Sequence, residues 1–273
     1  MGARFEGRTV IVTGASSGVG AAAARRFAAE GARVVLAARR AAALEDVAKE
    51  LGGGALAVPT DVADPAQAQA LVERAVHETG ALHVLVNNAG ANHRAPVAEA
   101  DPNELGRVVD VNLRAPVLLT RFALPHLLRE ARAAVVNVAS IAGQVPLPGE
   151  ATYSGTKFGL RGFSMALAEE LRDTGVRVSV VSPGPIETGF ILEDLDHVPD
   201  VVFSQPMSSP EQVADAILDC AEDGRRERTL PRLSGALATA GYLVPAVLHR
   251  LRPLLEAQGR RAKARYVRGR PRR

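Results

Sequence analysis

Two side chains that could move a proton and hold a charge stand four positions apart in ATYSGTKFG, residues 151–159. They are Tyr153 and Lys157, and side chains at this spacing share one face of a helix. A free phenol, with a pKa near ~10, releases its proton reluctantly at neutral pH. A nearby ammonium group favours the phenolate and lowers that pKa. The pair is therefore typical of a site where tyrosine acts as a general acid or base.

Two more polar residues precede this pair at informative positions. Ser140 closes an apolar run, AAVVNVAS, and Asn112 lies in DVNLRAP within a long helical stretch. Tyrosine and lysine four residues apart are common by chance, so the interpretation depends on the elements that bring all four together.

Short apolar runs and helical stretches alternate along the chain. This alternation predicts an α/β fold: a Rossmann-like doubly wound parallel sheet of about seven strands with helices on both faces. The predicted strands are 8–14, 32–40, 55–62, 82–90, 133–140, 176–184 and 227–230. The predicted helices are 18–31, 43–51, 65–80, 103–129, 151–173 and 210–222.

A glycine-rich turn, TGASSGVG (13–20), connects the first strand to the first helix. Glycines at such a turn let a phosphate approach the backbone N–H groups at a helix N-terminus. The turn predicts dinucleotide binding through Gly14, Ser16, Ser17, Gly18, Val19 and Gly20.

The end of the second strand bears on which dinucleotide binds. NAD-binding folds usually carry an acid there, but this strand ends in Arg39 and Arg40. Guanidinium groups pair with a 2′-phosphate, so NADP(H) is preferred over NAD(H). The alternative is that both arginines belong to a solvated helix start.

The Gly-x3-Gly-x-Gly spacing, NNAG (87–90) and the four polar residues together resemble the short-chain dehydrogenase/reductase family, in an NADP(H)-type form with a C-terminal extension. The resemblance covers about residues 5–231. It implies that Asp61 and Val62 lie at the adenine, and that Asn88, Ala89 and Gly90 lie at the cofactor. Asn87 and Asn88 are also expected to tie neighbouring strands together.

The resemblance gives Asn112, Ser140, Tyr153 and Lys157 the roles of the family's catalytic tetrad. Tyr153 would exchange the proton, and Ser140 would bind the substrate oxygen. Lys157 would bind the nicotinamide ribose, and Asn112 would hold a water that links Lys157 to solvent. A further motif, SPGPIETG (182–189), resembles the turn that closes over the nicotinamide, through Pro183, Gly184, Ile186 and Thr188.

The expected substrate is a hydrophobic ketone, aldehyde or secondary alcohol. Residues 190–207, the lid segment from here on, occupy the position of the family's mobile lid and are largely apolar. The candidate substrate contacts are Ser140, Val145, Tyr153 and Phe190. His93 and Arg94 could also rim the pocket, but an exposed loop position suits both better.

Composition narrows the class of protein further. Cys220 is the only cysteine, which fits a reducing compartment, excludes an intramolecular disulfide and leaves no cysteine-based metal site. No secretory signal precedes the first strand, so a cytoplasmic location is expected. The formal net charge is +3, yet residues 225–273 alone carry 14 Lys and Arg against 2 Asp and Glu.

The predicted organisation is one Rossmann-like domain over 1–231, with a cofactor half (1–110) and a catalytic half (111–231). Residues 232–273 form a basic extension, expected as a helix packed on the subunit or its partner, with a disordered arginine-rich end. Contact with an anionic membrane surface stays open as an alternative, and nucleic-acid binding is not expected. We expect a homo-oligomer, either a dimer or a tetramer.

Three functions remain open from the sequence. The favoured one is an NADP(H)-dependent oxidoreductase of a carbonyl/alcohol pair. The second is an NAD(H)-dependent alcohol dehydrogenase, and the third is a non-catalytic nucleotide sensor or membrane-docking protein of the same fold.

Overall fold

A seven-stranded parallel sheet organises the fold in the computed structural model, which describes residues 3–192, 195–231, 235, 238 and 245–268. The strand order is β3-β2-β1-β4-β5-β6-β7. The strands are β1 (Thr9–Thr13), β2 (Arg33–Ala38), β3 (Leu56–Pro59), β4 (Val84–Asn87), β5 (Ala133–Val138), β6 (Val176–Pro183) and β7 (Glu227–Leu230). The predicted doubly wound sheet is confirmed.

Helices cover both faces of this sheet. They are α1 (Gly18–Ala29), α2 (Ala41–Leu51), α3 (Pro65–Thr79), α4 (Pro102–Val109), α5 (Ala115–Leu127), α6 (Ala151–Glu170), α7 (Gly189–Leu192), α8 (Pro210–Asp223) and α9 (Pro245–Arg268). The described residues also contain two 3₁₀ turns, Ile141–Gly143 and Asp200–Ser204.

Local sequence signals fix several helix ends. Asp64 caps α3 by accepting from the N–H groups of Ala66 and Gln67, and Ser209 forms a capping box with Gln212 at the start of α8. Gly80 and Gly224 end these two helices in the left-handed conformation. The helix boundaries of α3 and α8 therefore follow from side-chain and backbone chemistry within a few residues of each end.

The apolar core has one layer on each face of the sheet. Phe27 of α1 and Ile217 of α8 lie in one layer, and Leu71 of α3 and Leu119 of α5 lie in the other. Because both faces are covered, the central strands are buried throughout and show no alternation of polar and apolar residues.

The long helix predicted over 103–129 is interrupted in its middle. Between α4 and α5, residues Asp110–Arg114 form a π-helical turn, and the N–H of Ala115 donates to the carbonyl of Asp110 five residues earlier. Pro116 follows and has no N–H to donate to the carbonyl of Asn112. The missing donor explains why regular α-helical bonding is broken at this point, and π turns often occur at functional sites.

The topology leaves a crevice at the carboxyl ends of the strands. The chain reverses its direction of winding between β1 and β4, which is where open α/β sheets bind ligands. Among the described residues, no helix is both long enough and apolar enough to cross a membrane.

Candidate active site

The glycine-rich turn after β1 is packed too closely for larger residues. A Cβ on Gly20 would lie 2.3 Å from the carbonyl oxygen of Gly14, and one on Gly14 would lie 2.9 Å from Nδ2 of Asn88. Gly14 and Gly18 also have positive φ angles. The N-cap Ser17 makes no side-chain cap bond to α1. This tight, uncapped helix start fits the predicted approach of a phosphate to backbone N–H groups.

Asn88 and Ala89 connect this turn to β4. Nδ2 of Asn88 donates to the Thr13 carbonyl at 2.8 Å, and the Thr13 hydroxyl accepts from the N–H groups of Asn88 and Ala89. Nδ2 of Asn87 donates to Oδ1 of Asn137 on β5 at 2.8 Å. The predicted role of Asn87 and Asn88 in tying strands together is therefore confirmed.

A cationic and hydroxyl-bearing cluster lies beside the turn. Nη2 of Arg40 donates to Oγ of Ser17 at 3.1 Å and to Oγ of Ser16 at 3.4 Å. Arg39 lies instead on the side of Asp61, whose carboxylate feels its charge. Of the two predicted arginines, the structure thus brings Arg40 to the serines.

Asp61 is held by a residue that the sequence analysis missed. Nη2 of Arg107 on α4 donates to both carboxylate oxygens of Asp61, at 2.7 and 2.9 Å. Burial works in the opposite direction, but the Arg107 bonds lower the pKa of Asp61 overall. Val62, next along, is buried. The carboxylate thus stays ionised and fixed at the edge where the adenine was expected.

Three residues of the predicted tetrad meet at the ends of β5 and α6. Nζ of Lys157 lies 5.6 Å from the centre of the Tyr153 ring and donates to the Val138 carbonyl at 2.9 Å. The Ser140 hydroxyl donates to the Pro183 carbonyl at 3.4 Å and accepts from the Ala142 N–H at 3.1 Å, and it lies close enough to Tyr153 to influence the pKa of the phenol. A Cβ on Gly143 would lie 2.6 Å from the Lys157 carbonyl oxygen, so the turn after Ser140 packs directly on α6.

Asn112, in the π-helical turn, completes the group from the other side. Its side chain is fully buried and exchanges two 2.8 Å hydrogen bonds with the backbone of Ala91. A Cβ on Gly90 would lie 3.5 Å from Oδ1 of Asn112 and 4.0 Å from Nζ of Lys157. Gly90 therefore leaves an opening between these two polar groups.

The electrostatics of Tyr153 differ from the sequence expectation. Burial, followed by the negative charge of Glu150, raises the pKa of Tyr153 to about 12, although Ser140 and Arg94 act the other way. Burial also lowers the pKa of Lys157 to about 8. The expectation that the phenol pKa is lowered is wrong for this structure, because burial and the Glu150 charge outweigh the groups that favour the phenolate. At neutral pH the phenol is a proton donor.

The predicted nicotinamide turn lies opposite the glycine-rich turn. Pro183, the buried last residue of β6, lies at the start of this turn. The N–H of the next residue, Gly184, donates to the Leu230 carbonyl at 2.6 Å. Ile186 pairs with Ser208. A Cβ on Gly18 would lie 3.2 Å from Cγ2 of Thr188, so the two turns meet above the sheet.

On the substrate side, a buried ion pair replaces the exposed loop expected at Arg94. Nε of Arg94 donates to Oε1 of Glu150 at 2.8 Å, with 8% and 4% of the two side chains exposed. Nη1 of Arg94 donates to the Phe190 carbonyl, and the guanidinium carbon lies 5.4 Å from the Phe190 ring centre. That ring is 6.1 Å from the Tyr153 ring.

Val145 and His93 were also considered for the substrate side, and they are less directly involved in the site. Val145 is half-buried in the turn after Ser140 and donates its N–H to the Ile141 carbonyl. His93 is also only partly exposed. Glu150 carried no signal in the sequence, because a single carboxylate before a helix has no distinguishing spacing.

The Arg94–Glu150 pair has a testable energetic consequence. We expect Arg94→Met to lower the free energy of unfolding by about 3 kcal/mol, since it leaves a buried carboxylate unpaired. The double variant Arg94→Met/Glu150→Leu should recover most of this loss. Urea unfolding measures both values.

An exposed ion pair provides the control for this cycle. Arg74→Met removes the Arg74–Glu78 pair, in which 57% and 40% of the side chains are exposed, and should change stability by less than about 1 kcal/mol. Equal losses at Arg94 and Arg74 would contradict the buried character of the Arg94–Glu150 pair.

The fold and the site define a nucleotide-binding α/β oxidoreductase with a tyrosine-lysine pair. The family model "short chain dehydrogenase" matches residues 8–197, and the chain belongs to this family. The chain is 38% identical over 231 residues to cis-4-hydroxycyclohexanecarboxylate dehydrogenase of Sinomonas cyclohexanicum, covering 82% of this chain and 92% of that protein.

Two solved structures are similar along most of the chain. One is 3-ketoacyl-(acyl-carrier-protein) reductase from Brucella melitensis complexed with NADH, at a TM-score of 0.77 and 33% identity, covering 83% of this chain and 98% of that one. The other is a metagenomic short-chain oxidoreductase in complex with NADP, at a TM-score of 0.71 and 34% identity, with the same coverage. The family's cofactor class is thus a nicotinamide dinucleotide.

Proposed function

We propose that this protein is an NADP(H)-dependent oxidoreductase that interconverts a hydrophobic ketone or aldehyde and its alcohol. The observation that carries the proposal is the meeting of Tyr153, Ser140 and Lys157 below the turn that contains Thr188. NADPH, when bound, supplies the hydride. The protein's own residues supply the proton and the positioning.

In the proposed mechanism, Tyr153 donates its phenolic proton to the oxygen of the substrate carbonyl. The neutral phenol suits this direction, since burial keeps the proton on Tyr153 at neutral pH. Ser140, which lies close enough to influence the pKa of Tyr153, would orient the same oxygen. The reverse reaction needs the phenolate as base, and Lys157, with Nζ 5.6 Å from the centre of the Tyr153 ring, is the cation proposed to stabilise it from the cofactor side.

Lys157 and Asn112 would support the cofactor and the proton path. Nζ of Lys157 has a bond to the Val138 carbonyl and further donors for the ribose hydroxyls. The opening left by Gly90 between Asn112 and Lys157 is suited to a water molecule that joins them. The apolar surroundings, Phe190 above all, favour a substrate with an apolar body.

The preference for NADP(H) is supported by the Arg40, Ser16 and Ser17 cluster. A 2′-phosphate placed there would accept charge-assisted hydrogen bonds from Arg40 and hydrogen bonds from two hydroxyls. The carboxylate of Asp61, the acid predicted to lie at the adenine, is paired with Arg107, which offsets its negative charge. The solved relatives include one NADH complex and one NADP complex, so the preference rests on this chain's own residues.

A coenzyme titration tests this preference. We expect NADPH to bind tighter than NADH, and Arg40→Ala to weaken NADPH about ten- to a hundredfold with little effect on NADH. Arg39→Ala should have a smaller effect. Arg172→Ala, an exposed arginine far from the turn, is the control.

The outcomes of this titration distinguish the three functions that the sequence leaves open. Equal or tighter NADH binding would contradict the proposal and favour an NAD(H)-dependent alcohol dehydrogenase. Binding of either coenzyme without any turnover would favour a nucleotide-sensing protein.

Assembly and location are also proposed. We expect a dimer or tetramer formed through α4, α5 and α6, because Val109 and Leu128 expose 40% and 50% of their surface at the ends of α4 and α5. Light scattering of the full chain tests this. We propose a cytoplasmic location, which suits the free, buried Cys220 thiol.

A further inference from the structure

Helix α9, within the C-terminal extension, lies against the lid segment. The two make extensive contact at the 3₁₀ turn Asp200–Ser204. Ala262 of α9 packs on an apolar cluster of Ile191, Val198 and Phe203. The lid segment therefore has an apolar interior of its own, which α9 covers.

A glycine marks the closest approach between the two elements. Gly259 is buried in α9, and a Cβ at this position would lie 1.8 Å from the carbonyl oxygen of Asp200. Glycine inside a helix costs about 1 kcal/mol relative to alanine. This residue therefore reduces the intrinsic stability of α9 but permits backbone contact with the lid segment.

Polar side chains of α9 bind the backbone of the lid segment. Nζ of Lys263 donates to the carbonyls of Val198 at 3.0 Å and Asp196 at 3.4 Å, and lies 5.7 Å from the Phe203 ring centre. Nε2 of Gln258 donates to the Ser204 carbonyl at 3.4 Å. These bonds satisfy backbone carbonyl groups of the lid segment.

Charge adds to this attachment. Arg260 and Lys263 lie 3.7 and 3.9 Å from the Asp200 carboxylate. Two cations of α9 thus pair with one carboxylate of the lid segment.

We infer that α9 is a positioning element for the active site: it holds the lid segment over Tyr153 and so limits which substrates fit. The connection runs from Ile191, which α9 helps to bury, to the adjacent Phe190, whose ring faces Tyr153. This inference rests on the proposed function for its effect on substrates. The attachment itself can be measured without any substrate.

The test uses the full chain and the variants Gly259→Val and Lys263→Met, with Ala264→Val on the exposed face of α9 as the matched control. Hydrogen-exchange mass spectrometry follows the amides of residues 195–207. We expect both test variants to speed exchange there at least tenfold, corresponding to about 1.4 kcal/mol of lost protection. Exchange in α6 and the affinity for NADPH should stay at wild-type values.

Kinetics with 9,10-phenanthrenequinone, a bulky apolar diketone, then measure the effect on substrates. We expect Gly259→Val and Lys263→Met to raise KM more than they lower kcat. Unchanged exchange of 195–207 in both variants, with α6 protected as in wild type, would overturn the inference. Faster exchange with KM and kcat unaltered would overturn the link to substrate selection. If wild type neither binds NADPH nor turns over, the proposed function fails, while the exchange comparison still decides the attachment.

Discussion

Replacing Tyr153 with phenylalanine should lower kcat/KM for carbonyl reduction by about 10³-fold or more, in line with the usual contribution of a general acid. The substitution removes one oxygen atom and keeps the ring that faces Phe190. NADPH affinity should hardly change, because the coenzyme contacts expected at Lys157 and the glycine-rich turn remain. Steady-state kinetics with an apolar ketone and a separate NADPH titration measure the two quantities.

The control for this variant is Arg172→Ala, at an exposed arginine outside the site. It should leave kcat/KM close to wild type. If Tyr153→Phe keeps turnover within a few-fold of wild type, proton donation by Tyr153 is wrong. If it loses NADPH binding as well, the loss of activity has a structural cause and the assignment of Tyr153 as the acid is unsupported.

Replacing Lys157 with methionine should have opposite effects on activity and stability. Turnover should fall by a factor on the order of 10² or more, because the variant loses the ammonium group that we propose to orient the coenzyme and to support the phenolate. The coenzyme-free protein, however, should gain on the order of 1–3 kcal/mol of stability near pH 7. The reason is that the Lys157 ammonium is buried, and burial lowers its pKa to about 8.

The direction of the expected stability change follows from how the charge of Lys157 depends on pH in the folded and the unfolded protein. Below pH 8 both the folded and the unfolded protein carry the charge, so the cost of burying the ammonium is present in full. As the pH rises from about 8 towards the ordinary value of 10.5, the folded state releases its proton first and the wild type becomes more stable. Tyr153, with its pKa raised to about 12 from the ordinary value of 10.0, contributes stability that is lost only as the pH rises through this range. Because Tyr153 is present in both proteins, this contribution largely cancels in the comparison.

Urea unfolding of both proteins between pH 7 and pH 10 tests this account. The stability advantage of Lys157→Met over wild type should shrink as the pH rises. An advantage that is absent at pH 7, or that grows with pH, would contradict the burial of a charged Lys157. The Val138 carbonyl loses its donor in the variant, which is why the expected gain is smaller than the pKa shift alone would give.

Much of the fold could be predicted because its signals are local. Apolar strand runs, the Asp64 cap and the glycine stops at Gly80 and Gly224 each act within a few residues. Six of the seven predicted strands were longer than the observed ones, mainly because the predictions included polar and glycine residues of the turns that follow the last ladder bond, whereas β7 was predicted with its observed bounds. The π-helical turn at Asp110–Arg114 was missed, because Pro116 alone does not show whether a helix will break or adjust.

The site could be predicted where residues recur at fixed spacings. Tyr153, Lys157 and the glycine-rich turn have such spacings, and the structure brings them to one edge of the sheet. No fixed spacing pointed to Arg107, to Glu150 or to the burial of Arg94. Each of these features depends on a partner 46 to 56 positions away in the sequence. The prediction for the pKa of Tyr153 was wrong for a related reason. Sequence spacing shows a nearby cation but gives no measure of burial.

The most direct test of the proposed oxidoreductase activity is the transfer of an isotope label from coenzyme to substrate. NADPH carrying deuterium at the reactive carbon of the nicotinamide is incubated with the wild-type protein and a panel of apolar ketones and aldehydes, and mass spectrometry locates the label. The account predicts deuterium on the carbinol carbon of at least one product with wild type, and almost none with Tyr153→Phe. Tightly bound NADPH that transfers no label to any member of the panel would contradict the proposed oxidoreductase and favour a nucleotide-sensing protein.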